Sequence, residues 1–74
     1  MSDLIIFYVN GKKYSFSSKL FFKFTLFHLL LHLNYNTKLI VIELNGIVID
    51  SNNWPKIYLK NNDLIEIVTI VGGG

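Results

Sequence analysis

The stretch Thr25-Leu26-Phe27-His28-Leu29-Leu30-Leu31-His32-Leu33-Asn34 decides the fold, because it carries the chain's clear helical repeat. Leu26, Leu29, Leu30 and Leu33 fall at i, i+3, i+4 and i+7, one apolar stripe at the helical period. Thr25 stands where an N-cap is wanted, its hydroxyl able to accept from a free backbone N–H of the first turn. Phe24 and Leu29 occupy the two positions of a hydrophobic staple. Asn34 to Asn36 closes the run, so the spacing predicts a helix over 25–34.

On either side of this helix the chain reads as strand. Leu4-Ile5-Ile6-Phe7-Tyr8-Val9 is an apolar, β-branched and aromatic run that ends in Asn10-Gly11. Asn-Gly favours the positive φ angles of a type I′ turn, and Lys12 to Phe16 then alternates, so residues 4–16 read as a hairpin. Ser17, Ser18 and Lys19 break the pattern. After the helix, Lys38 to Leu44 returns to strand character and meets a second Asn-Gly, Asn45-Gly46, with Ile47-Val48-Ile49 as hairpin partner. Asp50 to Asn53 is a polar turn, and Trp54 to Leu59 a short helical turn with Trp54, Ile57 or Leu59 directed inward. Asn61-Asn62-Asp63 is a further turn in which Asn62 suits a left-handed conformation. Leu64 to Val71 is the last strand, followed by Gly72-Gly73-Gly74.

One helix against four or five strands is a two-layer α+β domain. The first and last strands are the most continuous apolar runs, so they belong at the centre of a mixed sheet, parallel and adjacent. The expected organisation is one domain over 1–71 with a flexible tail over 72–74.

Composition narrows the function. A chain of 74 residues leaves room for one small domain, without a cleft between lobes. With 51% hydrophobic and 16% charged residues it is not intrinsically disordered. There is no cysteine, which removes disulfides, thiolate metal sites and a cysteine nucleophile. A net charge of +2, with lysine as the sole strong cation, argues against nucleic acid as a partner. Lys19 and Lys23, interleaved with phenylalanines, are a weak exception. Ala, Arg, Gln and Cys are all missing while Ile, Leu, Asn, Lys, Phe and Tyr abound, the mark of an A/T-rich genome such as a plastid or a low-GC bacterium. Met1-Ser2-Asp3 opens straight into the first strand, with no basic segment or cleavage site. The most apolar stretch, Leu20 to Leu33, is 14 residues long and interrupted by Lys23, His28 and His32. That is short of the roughly 20 needed to span a bilayer, so a soluble protein without a membrane partner is expected.

The tail holds the candidate chemistry. Three glycines after a core strand cannot help packing. They are either a frayed end or a thin tether that carries the Gly74 carboxylate into another protein's active site, where it is open to adenylation and then to a nucleophile. The last strand adds a candidate docking face. If Ile65 and Ile67 face the helix, alternation turns Glu66, Val68 and Ile70 outward, beside Val41 and Glu43 of a neighbouring strand. That face is either ordinary sheet surface or an apolar and acidic partner patch. Phe21, Phe22, Phe27 and Leu31 exceed what one helix stripe buries. His28 and His32 have zinc spacing, but they lack a third ligand and a glutamate between them, and read as solvated surface residues with no metal.

The order hairpin, helix, hairpin, helical turn, strand and glycine tail resembles the ubiquitin-like β-grasp fold. More closely, the chain resembles the ThiS family of sulfur carriers. The match rests on Val9-Asn10-Gly11, on Thr25-Leu26, Leu29-Leu30 and Leu33, and on Leu44-Asn45-Gly46-Ile47-Val48. It continues through Trp54, Leu59-Lys60-Asn61-Asn62-Asp63, Ile65-Glu66-Ile67-Val68 and Val71-Gly72-Gly73-Gly74. The departures are an aromatic segment over 14–24 without the usual glycine, Ser51 in place of an arginine, and Asn62 in place of a glycine.

The resemblance implies a protein cosubstrate that is not itself an enzyme and binds no cofactor of its own. An E1-like adenylyltransferase of the ThiF type would spend ATP to activate Gly74, and a cysteine desulfurase or other persulfide donor would supply sulfur for a thiocarboxylate. A ThiG-type thiazole synthase would consume it in thiamine biosynthesis. The small subunit of molybdopterin synthase, of the MoaD type, and a ubiquitin-like protein modifier share the fold and tail; a purely structural interaction domain is a further alternative. The expected compartment is the plastid stroma if the gene is plastid-encoded, and otherwise the bacterial cytoplasm.

Overall fold

A computed structural model of the chain describes residues 4–17 and 24–70. Strands β1 (Leu4–Val9) and β2 (Lys12–Ser17) form the first hairpin, and helix α1 (Leu26–His32) follows. Strands β3 (Ile40–Leu44) and β4 (Ile47–Ile49) form the second hairpin, a 3₁₀ helix spans Ser51–Lys56, and β5 (Leu64–Thr69) is the last described element. The sheet order is β2-β1-β5-β3-β4, with β5 parallel to β1 and antiparallel to β3. This is the five-stranded mixed sheet with one helix that the sequence predicts.

Both Asn-Gly turns adopt the positive φ pair of a type I′ hairpin: 50° and 82° at Asn10-Gly11, 52° and 85° at Asn45-Gly46. Strand alternation sorts the side chains. Phe7 and Val9 of β1, Ile40 and Ile42 of β3 and Ile65 and Ile67 of β5 are buried, and they meet Leu26, Leu29 and Leu30 of α1. Phe24, Trp54 and Leu59 complete the cluster, with Ile57 and Leu33 half-buried against it.

The helix is shorter than the predicted 25–34. Thr25 is its N-cap, and Leu33 its C-cap. Asn34 then turns left-handed at φ 62°, with Tyr35 N–H donating to Leu30 O at 3.0 Å and Asn34 N–H to Leu31 O at 3.2 Å, a Schellman ending. The structure adds a role for His28, which is exposed as the sequence reading expects. It closes a capping box: His28 N–H donates to Thr25 Oγ1 at 3.2 Å, and Thr25 N–H donates to His28 Nδ1 at 3.2 Å. Imidazole takes the place that glutamate or glutamine usually fills, which puts the ring proton on Nε2. The His32 ring meets Phe16 edge-on at 5.1 Å.

Three other boundaries move. The 3₁₀ helix begins at Ser51 instead of Trp54, because Asp50 Oδ1 accepts from Asn52 N–H at 2.8 Å and caps it. Strand β3 begins at Ile40 instead of Lys38, because Asn36 Oδ1 holds Lys38 N–H and Asn36 O holds Leu39 N–H in a turn. Strand β5 ends at Thr69, one further bond running from Ile70 N–H to Leu39 O at 2.6 Å. Of the aromatic segment, Phe24 is in the core and Tyr14 and Phe16 pack against it. Phe7 stacks on Tyr14 at 5.8 Å, and Phe16 meets Phe24 edge-on at 4.9 Å. Phe21, Phe22, Lys19 and Lys23 lie outside the described residues.

Two substitutions test this packing by urea unfolding. Leu29→Ala, at a fully buried position, should cost about 2–5 kcal/mol. Thr25→Ala, which removes the hydroxyl that accepts from His28 N–H, should cost about 1 kcal/mol.

Candidate functional site

Strand β5 is held by side chains as well as by its ladder. Its pairing with β1 covers only Tyr8–Leu64 and Val9–Ile65. Beyond that, Asn10 continues the pairing: Ile67 N–H donates to Asn10 Oδ1 at 2.7 Å, and Asn10 Nδ2 donates to Ile67 O at 3.1 Å. On the other side, Leu64 N–H donates to Asn45 Oδ1 at 2.8 Å, and Asn45 N–H to Leu64 O at 2.7 Å. The turn before β5 is equally tied. Buried Asp63 accepts from Lys60 N–H at 2.7 Å and from Asn45 Nδ2 at 3.1 Å. Asn61 Oδ1 accepts from Ile6 N–H at 2.8 Å, and Asn62 takes a left-handed φ of 71°.

This bracing sets which way β5 presents its residues. With Ile65 and Ile67 buried, Glu66, Val68 and Ile70 face outward, Val68 being 60% and Ile70 49% exposed. Val41 lies opposite Val68, and Glu43 opposite Glu66, on β3. Val41 is half-buried and both glutamates are exposed. The structure therefore brings the five candidate residues together on one face. Two like charges set directly across a strand pair repel.

The face extends further than the sequence reading. Val48 stands opposite Glu43 on β4 and is 63% exposed, and Leu39 is exposed beside Ile70. Tyr8, Gly11, Leu64, Ile65 and Glu66 line a shallow depression of about 220 Å³ at the β1–β5 seam. The signal was present in the alternation of β1 and β4, which places Tyr8 and Val48 on the side of Glu66. Gly72, Gly73 and Gly74 lie outside the described residues, as does Val71. Among the described residues, no group of three or more His, Asp or Glu is placed to hold a metal, and no helix is long and apolar enough to cross a membrane.

A family model described as the ThiS family matches residues 23–74, from the helix entry to the last glycine. The chain belongs to the ThiS family. A crystal structure of the thiamine biosynthesis protein ThiS from Geobacter metallireducens superposes with a TM-score of 0.77 at 25% identity. It covers 95% of this chain and 100% of its own, so the first hairpin shares the fold although the family model begins after it. Among curated relatives, ycf40 of Trieres chinensis is 43% identical over 68 residues, 92% of this chain and 88% of the relative. The ycf40 protein of Porphyra purpurea is 35% identical over 66 residues, 89% of this chain and 87% of the relative. Membership supports a sulfur-carrier role, and small carriers of the ThiS kind are not themselves enzymes. Of the departures from the family pattern, Asn62 adopts the left-handed turn a glycine would take, and Ser51 is exposed at the first position of the 3₁₀ helix.

The like-charge pair gives a measurable consequence. Glu66→Gln should raise stability by about 0.2–1 kcal/mol, read as a higher urea midpoint with an unchanged slope.

Proposed function

We propose that this protein is the sulfur carrier of thiamine thiazole synthesis, acting through the carboxylate of Gly74. The observation that carries the reading is a ThiS-family β-grasp domain whose braced central strand leads into Gly72-Gly73-Gly74. Glycines without Cβ atoms can thread a narrow channel, and the terminal carboxylate is unhindered. A ThiF-type, E1-like adenylyltransferase would join it to AMP from ATP, releasing pyrophosphate. Persulfide sulfur from a cysteine desulfurase or similar donor then displaces AMP, and a thiol takes the second sulfur as a disulfide, leaving a thiocarboxylate. A ThiG-type thiazole synthase consumes that sulfur and returns the carboxylate. The carrier holds no cofactor in this scheme; ATP belongs to the activating partner.

Val41, Val68 and Ile70, with Glu43 and Glu66, are the proposed docking face. Four residues beyond Ile70 reach at most about 14 Å when extended, so an enzyme that takes Gly74 must sit against this end of the sheet. The apolar residues supply buried area, and the acidic pair orients a basic partner surface. The ycf40 relatives and the A/T-rich coding signature support a plastid origin, hence action in the stroma.

Intact-mass measurement tests the proposal. Incubation with a ThiF-type enzyme, ATP and a persulfide source should exchange one oxygen for sulfur, and deletion of Gly73-Gly74 should abolish the exchange while leaving the fold intact. A truncated chain that still supports thiazole formation would refute the carrier role. Consumption by molybdopterin synthase instead would assign the other pathway, and a ladder of conjugates would indicate a modifier.

A further inference from the structure

We propose that Asn10 and Asn45 are deamidation sites, masked while β5 is seated in the sheet and opened when β5 lifts out. Each precedes glycine, the residue whose missing Cβ lets its own backbone nitrogen approach the asparagine Cγ. That nitrogen attacks Cγ, the bond from Cγ to the side-chain nitrogen breaks, and ammonia leaves with the proton of the attacking amide. Water then opens the resulting succinimide at either C–N bond, giving aspartate or isoaspartate. Water is the sole co-reactant. Both turns are open to it: beyond the adjoining residues, no heavy atom lies within 4 Å of where a Cβ would stand on Gly11 or Gly46, and both glycines are exposed.

What restrains the reaction is the bracing of β5. The attack requires Cγ to swing toward the following nitrogen, and in the folded chain both side-chain amides are pinned at both atoms. Asn10 holds Ile67 N–H and O, while Asn45 holds Leu64 N–H and the Asp63 carboxylate. All four anchors lie on β5 or the residue before it, so one opening event releases both sites. The other asparagines, such as Asn34, Asn36, Asn52 and Asn61, precede residues with side chains and serve as internal controls.

The product cannot restore the brace. A carboxylate at position 10 has no N–H for Ile67 O. A carboxylate at position 45 would face the buried Asp63 carboxylate, two like charges where an amide donated before. A passing opening of the strand that leads to the tail is thereby turned into a permanent loss.

Peptide mapping of the full chain in mildly alkaline buffer, folded and in urea, tests this. Asn10 and Asn45 should deamidate about tenfold or more slowly in the folded protein, with the control asparagines slow in both. Ile65→Val, which loosens β5 without touching either amide, should raise both rates by the factor by which hydrogen exchange at Ile67 and Leu64 N–H accelerates. Equal rates in folded and unfolded chains would overturn the proposal. So would rates that stay fixed in Ile65→Val while exchange accelerates, or an absence of reaction at both sites in urea.

Discussion

The structure depends on seating β5 between two strands that approach it with opposite polarity. Its parallel pairing with β1 spans just Tyr8–Leu64 and Val9–Ile65, too short a ladder to fix a register by itself. The side chain of Asn10 acts as a further strand position, offering an acceptor and a donor to Ile67. Asn45 does the corresponding work at Leu64 on the antiparallel side. Each asparagine thus serves twice: its positive φ makes the hairpin turn, and its amide grips β5. A Gly-Gly turn would keep the hairpin and lose the grip. The two hairpins can form locally, but the sheet closes only when residues more than fifty positions apart in sequence meet.

The helix shows the same reliance on neighbours. Seven residues are too few for a helix to persist alone in water. Here the first N–H, of Leu26, donates to Ile57 O, while Leu59 N–H donates to Phe24 O, so the segment after the 3₁₀ helix forms a seat for the helix start. The Thr25–His28 box and the Asn34 ending satisfy further groups that a helix leaves free at its ends. Burial of Leu26, Leu29 and Leu30 then has a short, closed element to act on.

Local chemistry made most of the architecture legible. Asn-Gly between alternating runs gave both hairpins, the leucine spacing gave the helix, and the apolar continuity of residues 4–9 and 64–71 placed β1 and β5 together. Legibility stopped where a side chain acts on distant backbone. Nothing near Asn10 announces Ile67 as its partner, and nothing near Asp63 announces Asn45. The capping role of surface-exposed His28 went unread for a related reason: capping boxes are read from glutamate or glutamine at the third helical position. For the site, period-two alternation was enough to place Glu66, Val68 and Ile70 outward, and Val41 and Glu43 followed from the strand pairing. Tyr8 and Val48 were open to the same rule of alternation along β1 and β4.

The core and the candidate face are two readings of one constraint. A one-residue slip of β5 would bury Glu66 and Val68 and expose Ile65 and Ile67, so the hydrophobic cluster against α1 is also what aims the patch. The Glu43–Glu66 pair sits at the middle of that patch, where any substitution that relieves the repulsion would favour the fold. In the proposed docking, a partner surface carrying positive charge would offset that repulsion. Among the described residues the buried cluster ends in sequence at Ile67, seven residues before the Gly74 for which the chemistry is proposed. On the proposed function, sulfur would be gained and lost at a carboxylate that lies in sequence beyond the last residue of the packing that aims the candidate face.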